Sequence, residues 1–463
     1  MAFMSLQRNT PRLALTLALP LMACALCLPA ADPGIAFQSV TTRSVAANRI
    51  PEMPDYAHGL GNDLNWFDFG LESRSRYEYR WNDYSSLGLL TDDAFVTRNL
   101  LYLGLKKTID PLRLSLELAD SRQFLSDRLD NPNVENELEV LQAYAQLHFD
   151  EVFGDAPLSL SFGRMAFDWS DRRLLARNRN RNTINAFDGL RLRLGDEAAP
   201  WEMEAIAVRP VDRSVDEFDE SSDHATLYGI AGYWRGWSPY VVLEPYWLWL
   251  DQTDFRGIPI QRNLHSFGLH AFGQWGENSD WDYDLSLAGQ WGKTRNLDHR
   301  AWAAHAEIGR TFASPWKPRL GLWLNYASGD RNATDDSNER FDPLFGATYA
   351  FYGFSSYFAW QNIINPAVRL SFQPASKLKC EIMHRANWLA SDTDVWTRGL
   401  RRDGSGRSGN FVGQETDIRL VWQIHTNFDL DLAYARFFPG GFVNQTGTSP
   451  QGDFIQLAGT LRF

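Results

Sequence analysis

Apolar and polar side chains alternate at every second position through most of the chain, the period of a half-buried strand rather than of a helix. From Phe67 to Trp81 one parity collects Phe67, Phe69, Leu71, Tyr77, Tyr79 and Trp81, and the other Asp68, Glu72, Arg74, Arg76, Glu78 and Arg80. Asn99, Leu101, Leu103 and Leu105 stand against Arg98, Leu100, Tyr102 and Gly104. Trp281, Tyr283, Leu285, Leu287 and Trp291 stand against Asp282, Asp284, Ser286, Ala288 and Gln290. The rhythm returns with Leu190, Leu192 and Leu194 against Gly189, Arg191 and Arg193, and with Ile418, Leu420, Trp422 and Ile424 against Asp417, Arg419, Val421 and Gln423. About eighteen such segments follow one another. With no helices to cover the apolar parity, lipid is the simplest solvent for it.

The connections supply an independent test. Short links (Thr108 to Pro111, Gly195 to Pro200, Arg235 to Pro239, Gly276 to Ser279, Pro374 to Ser376, Thr426 to Asn427) alternate with long ones. The long set is Ser121 to Asn136, Trp169 to Asn182, Pro210 to Asp223, Asp251 to Arg262, Gly329 to Asn365, Ala390 to Gln414 and Phe438 to Gly452. Transmembrane barrels pair short periplasmic turns with long outer loops. The expected fold is therefore all-β, a transmembrane antiparallel β-barrel of about 18 strands with both termini periplasmic. Phe463, sharing its parity with Leu461, Leu457 and Ile455, resembles the C-terminal signal of bacterial outer-membrane proteins.

The N-terminus sets the compartment. Arg8 and Arg12 precede an apolar run from Leu13 to Leu28, and Pro29-Ala30-Ala31 supplies small residues, so residues 1–31 read as a secretory signal peptide. Leu21-Met22-Ala23-Cys24 offers lipidation of Cys24 as the alternative. Residues 32–63 form a polar, proline-marked flexible periplasmic leader, and residues 64–463 the barrel. Of three cysteines, Cys24 and Cys27 fall in the signal and only Cys380 remains, which leaves no internal disulfide. Aromatic residues make up 14% of the chain with 18 Trp, which fits the aromatic girdles of a membrane barrel. Alternation keeps the mean hydropathy at -0.36 despite that content. The formal charge of -12 argues against nucleic acid as a partner, but says nothing of the charge inside a lumen.

The polar parity carries the candidate chemistry. Arg74, Arg76, Arg80, Arg98, Arg191, Arg193, Arg369, Arg385, Arg419 and Arg462 are expected to face inward. Guanidinium groups stay charged at any relevant pH and offer paired donors to carboxylates. A row of weak, similar sites passes a polyanion along, where one tight site would stop it. The competing expectation is that these arginines pair with inward acids such as Asp68, Glu72, Glu78, Asp282, Asp284, Asp417 and Asp431. Arg164 shares the parity of Phe162, and a bulge at Gly163 would turn it inward. The basic loop from Asp171 to Asn182 either folds in as a constriction or lies on lipopolysaccharide. Asp330, Asn332 and Asp336 offer oxygen ligands at alternating positions, a weak calcium candidate against a plain solvated loop. Nine histidines are scattered without a Gly-x-Ser-x-Gly elbow or a His-Glu-x-x-His pair, so no catalytic residue and no cofactor is assigned.

Phe162-Gly163-Arg164 with Asp171-Arg172-Arg173-Leu174 and Phe187-Asp188-Gly189 forms a first block. Asn325-Tyr326-Ala327-Ser328-Gly329-Asp330 with Phe341-Asp342-Pro343-Leu344-Phe345 forms a second, and Tyr352-Gly353 to Trp360-Gln361-Asn362 a third. Together they resemble the alginate export family of bacterial outer-membrane proteins, over most of the chain after about Leu64. The resemblance implies a monomeric barrel that passes a polyuronate through an arginine-rich constriction. It carries Arg164, Arg172, Arg173, Arg191 and Arg193 over as pore or constriction residues. The expected function is an outer-membrane channel for an anionic polysaccharide or oligosaccharide, with outer-membrane lipid, lipopolysaccharide and periplasmic export partners as neighbours. A general nutrient porin and a barrel-embedded hydrolase are the alternatives.

Overall fold

The computed structural model describes residues 66–85, 90–105, 111–128, 131–153, 156–196, 199–238, 240–255, 258–275 and 280–463. The expected signal peptide, with Cys24, and the leader lie outside the described residues. The strands run β1 (Phe67–Asp83), β2 (Leu90–Leu105), β3 (Leu112–Phe124), β4 (Asn136–Phe153), β5 (Ala156–Met165), β6 (Phe187–Leu194) and β7 (Trp201–Asp212). They continue as β8 (Glu220–Ser221), β9 (Ala225–Trp234), β10 (Val242–Phe255), β11 (Ile258–Trp275), β12 (Trp281–Thr294), β13 (Leu297–Thr311) and β14 (Arg319–Ala327). The last are β15 (Ser337–Asn338), β16 (Ile363–Ala375), β17 (Leu378–Trp388), β18 (Phe411–His425), β19 (Phe428–Pro439) and β20 (Gly452–Arg462).

Setting aside the two-residue strands β8 and β15, eighteen antiparallel staves pair in sequence order. β20 then returns to β1, from Glu72 opposite Arg462 to Trp81 opposite Asp453. The sheet has no free edge, so every stave's backbone donors and acceptors are met inside the wall, as a hydrocarbon surround requires. Because the number of staves is even, β1 begins where β20 ends, and Leu71 and Phe463 exchange backbone bonds of 3.1 and 2.9 Å there. No helix among the described residues is long and apolar enough to cross a membrane.

The predicted parity is the observed one. On β12 Leu287 is 57% exposed, while Ala288 beside it, on the opposite face, is 1% exposed. Exposed Leu285, Trp291, Trp302, Leu320, Leu322 and Leu324 continue the outward apolar belt over β12 to β14. One connection differs from expectation. The segment from Asp251 to Arg262 is not a long loop: β10 and β11 run through it, with Asp251 opposite Asn263 and Gln252 opposite Arg262. Its polar residues top a tall hairpin, where strand pairing continues beyond the apolar belt.

The interior is packed. Segments between β5 and β6 and between β14 and β16 bring in Trp169, Leu174, Leu175, Phe341, Phe351, Tyr352 and Trp360. These form one cluster with Tyr246, Leu248 and Leu250 of β10. A loop with this many aromatics has to bury them, and the inside of the cylinder is the protein surface within reach.

Candidate functional site

The loop of residues 166–186 leaves β5, crosses the lumen and returns to β6. Its near half is a knot of turns. The Arg177 backbone N–H donates to Asp168 Oδ1 at 2.8 Å, that of Arg172 to the Trp169 carbonyl at 2.9 Å, and Ser170 and Arg172 sit at φ of 45° and 67°. Arg173 anchors the knot. Its guanidinium stacks on Phe351 at 4.6 Å and Trp360 at 5.4 Å, and Nη1 donates to Asn325 Oδ1 and to the Tyr352 hydroxyl, both at 3.2 Å. Ser170 Oγ donates to Glu244 at 2.9 Å, and Asp171 accepts from Ser286. The second loop splints the first through Phe345 N–H to the Leu174 carbonyl and Ala347 N–H to the Arg172 carbonyl, both 2.9 Å. Gly346 is required there, because a Cβ would land on the Arg173 carbonyl.

The far half is held by three arginines of the opposite wall. Arg74 Nη1 donates to the carbonyls of Arg179 and Asn180 at 3.0 and 3.4 Å, and Nη2 to the Arg181 carbonyl and Asn182 Oδ1 at 2.8 and 3.3 Å. Arg98, directly opposite Arg74 in the ladder, donates to the carbonyls of Arg179 and Arg181 at 2.8 and 3.2 Å. Arg76 reaches the Asn180 carbonyl. Glu72 ties the assembly together, accepting from Arg98 at 2.6 Å, Arg179 at 2.7 Å and Arg462 at 3.1 Å. The carbonyl dipoles spread the charge of guanidiniums that would otherwise face one another. Of the two expectations for the Asp171 to Asn182 loop, the structure has the inward one.

The other wall arginines are paired with wall carboxylates. Arg191 meets Glu204, Arg193 meets Glu202 at 2.8 Å, Arg369 meets Glu381, and Arg385 meets Asp417 at 2.8 Å. Arg419 meets Asp431 and Arg462 meets Asp429, each at 2.6 Å. An unbroken row of arginines lining an open conduit is therefore not what the wall presents; the competing expectation of mutual neutralisation describes these six. Arg172 lies 5.6 Å over the Phe351 ring. Arg164 corrects a further expectation. Gly163 keeps register opposite Tyr144 and Gly189, so no bulge turns the next residue inward. Arg164 stays on the parity of Phe162, which is 66% exposed, and braces the rim through Asp188 at 2.9 Å and Glu139 at 3.2 Å.

Asn332 Oδ1 is used within its own turn by Thr334 at 2.7 Å, and Asp336 is exposed. Among the described residues no three His, Cys, Asp or Glu converge on a metal position. His270 sits between Glu244 at 2.8 Å and Asp284 at 3.2 Å, but Ser170 donates to Glu244 rather than to the imidazole, so this cluster lacks a nucleophile-base contact.

Above the inward loops, at the end of the long connections, lies a cavity of about 660 Å³. Six arginines line it, Arg181, Arg213, Arg262, Arg295, Arg340 and Arg398, against Asp212, Asp330 and Asp342. Arg262 is neutralised by Asp342 at 2.6 Å, and Arg340 by Asp394. Burial would raise the Asp342 carboxyl, yet Arg262 beside it holds it below its usual range. Arg181 and Arg213 share the amide oxygens of Asn133 and Asn185. The sequence pattern does not single out Arg213, Arg262, Arg295, Arg340 or Arg398, which lie at strand ends and in loops where alternation stops.

Residues 65–455 match the Alginate export family. Among solved structures, Pseudomonas aeruginosa OpdO aligns with a TM-score of 0.59 at 11% identity, over 86% of this chain and 98% of that one. Pseudomonas aeruginosa OccK8 (OprE) gives the same values. Pseudomonas aeruginosa OpdK with vanillate gives 0.58 at 12%, over 86% and 98%. At such identities the likeness is one of fold. No curated protein sequence matches the chain.

Proposed function

The chain belongs to the Alginate export family and is a bacterial outer-membrane β-barrel, and from that premise we propose that it is a channel for an anionic polysaccharide or oligosaccharide of the polyuronate kind. The observation that carries the reading is Arg74, set between Arg76 and Arg98, which pair with Glu78 at 2.7 Å and Glu72 at 2.6 Å. Arg74 donates to four neutral oxygens and, among the described residues, to no carboxylate. A carboxylate offers the guanidinium fork a bidentate partner of full opposite charge, where a loop carbonyl offers only a dipole. A sugar carboxylate entering the lumen therefore competes with the loop carbonyls for the same donors, so cargo of the right charge lowers the cost of moving the loop. On this reading the chain is a monomer, its short turns and both termini face the periplasm, where export partners dock, and residues 1–31 and 32–63 act as signal and leader.

Reconstitution in a planar bilayer tests it. The expected result is anion-selective current that polyuronate reduces, with the reduction weakened in Arg74→Ala and Arg98→Ala. Cation-selective current indifferent to polyuronate overturns it. The paired wall arginines favour a second reading, a porin of broader selectivity, which free passage of small uncharged sugars would establish.

A further inference from the structure

We propose that the cavity at the long-loop end is a recognition site for a short acidic oligosaccharide, bound by Arg295 and Arg398 through its carboxylates. The inference rests on the anionic-cargo reading for its choice of ligand, and goes beyond it in giving the cargo a defined docking place outside the clamped loop.

The chemistry of the lining is that of an acidic sugar. The two charge pairs at Arg262 and Arg340 are closed internally, which leaves Arg181, Arg213, Arg295 and Arg398 with amides to face a ligand, against the carboxylates of Asp212 and Asp330. Arg398, in the connection between β17 and β18, makes no ion pair among the described residues, and burial alone pushes its guanidinium below its ordinary value with no carboxylate to offset it. It is exposed to the cavity and walled by protein. Arg295 tops the tight turn between β12 and β13 at φ 51°, where its backbone N–H bonds to the Gln261 carbonyl at 2.9 Å and its side chain is left exposed. An arginine held at a fixed hairpin tip and a second held in a shaped pocket can each take a carboxylate in bidentate fashion. Leu344 and Phe345 supply a half-buried apolar surface for the C–H face of a sugar ring, and the amides of Asn178 and Gln361 line the same space. The volume falls within the roughly 300–1,000 Å³ usual for small-ligand sites, which suits a short oligomer.

The floor of the cavity is the gate loop itself. Asn178, Arg181 and Asn185 line it, and the Arg181 carbonyl, like that of Arg179, is held by both Arg74 and Arg98. A ligand seated here bears on the segment that closes the lumen.

Isothermal titration of the detergent-solubilised full chain with trimannuronate, and with mannotriose as the neutral counterpart, tests the site. Trimannuronate should bind saturably and mannotriose not at all. Arg295→Ala combined with Arg398→Ala should weaken binding at least tenfold, and Arg398→Lys should restore part of it. Arg209→Ala, which removes an arginine outside the cavity, should bind as wild type does. Absence of binding by the wild type, or binding unchanged in the double variant, overturns the site. Reversal potentials of the reconstituted wild type separate the two claims. An anion-selective pore with arginine-independent binding sinks the site alone, while a cation-selective pore with binding that needs Arg295 and Arg398 sinks the channel reading alone.

Discussion

Arg385 and Arg74 start from the same circumstances, an inward position on a barrel strand and nearly complete burial, and end with different duties. Arg385 pairs with Asp417, both side chains about 1% exposed, and also packs 5.6 Å over Trp323. Arg74 faces Arg98 across the ladder and finds its acceptors on a loop that starts four strands away. The first arrangement is an ion pair between neighbouring staves, to which the inward loop adds only the Phe351 carbonyl at 3.2 Å from Arg385 and the Phe354 N–H at 3.3 Å from Asp417. The second is open to exchange, because the acceptors of Arg74 are neutral groups in the far half of the loop, which an anion can replace. The charge of the acceptor, more than the identity of the residue, separates wall from gate.

The largest effect should come from breaking the closed pair. Arg385→Ala leaves Asp417 buried and alone, which costs about 3–5 kcal/mol; unfolding of the barrel in lipid vesicles by urea would show it. Replacing both partners, Arg385→Met with Asp417→Leu, should recover most of the loss, and a failure to recover would mean the pair does more than neutralise. Arg74→Ala should cost the loop about 2–4 kcal/mol of docking: its two shorter bonds have a charged donor and contribute about 1.5–3 kcal/mol each, and removing the guanidinium relieves its repulsion with Arg98 opposite. The barrel should stay intact while single-channel conductance rises and a cysteine at Asn180→Cys becomes reactive. Unchanged conductance would place the gate elsewhere. Gly163→Ala should cost about 1–3 kcal/mol, since φ is 129° and a Cβ meets the Ala143 carbonyl. That loss should appear in stability with the conductance of the folded fraction unaltered.

The smallest effect is one of pH. Burial pushes the Asp219 carboxyl up to about 6, against the opposing bonds from Ser214 and Asn136 and with Glu139 adding to the rise. An acid raised in the folded state opposes folding once it ionises, so the penalty is absent below about pH 4, grows through the interval up to 6 and is complete above it. Hydrogen exchange of residues 213–221 should therefore be slower at pH 5 than at pH 7.5, after correction for intrinsic rates. No difference would show that Asp219 is solvated.

Strands were legible because lipid outside and side-chain packing inside impose opposite demands at every second residue. β1, β2, β12 and β18 show those parities residue by residue. Membership of the loop in the lumen was half legible. The charge of Arg177, Arg179 and Arg181 was visible, but charge alone does not distinguish a gate from a lipopolysaccharide contact. The signal that decides lies elsewhere, in Phe341, Phe351, Tyr352, Phe358 and Trp360, aromatics in a connection too long to be a strand. They have to be buried, and they carry the basic loop in with them. Ion pairs were the least legible part, since Arg191 and Glu204 meet only once β6 and β7 are in register. The hairpin at Asp251 to Arg262 misled because polar sequence there marks height above the belt, not the end of pairing.

Glu72 has one more implication. Its carboxylate receives Arg98 from the next strand, Arg462 from the last strand and Arg179 from the loop, and so it sits on the suture where the first and last strands meet. A cylinder zipped shut before the loop has been swallowed would leave this carboxylate with fewer cations around it. The loop, sewn in from the middle of the chain, thus helps lock the suture between its two ends.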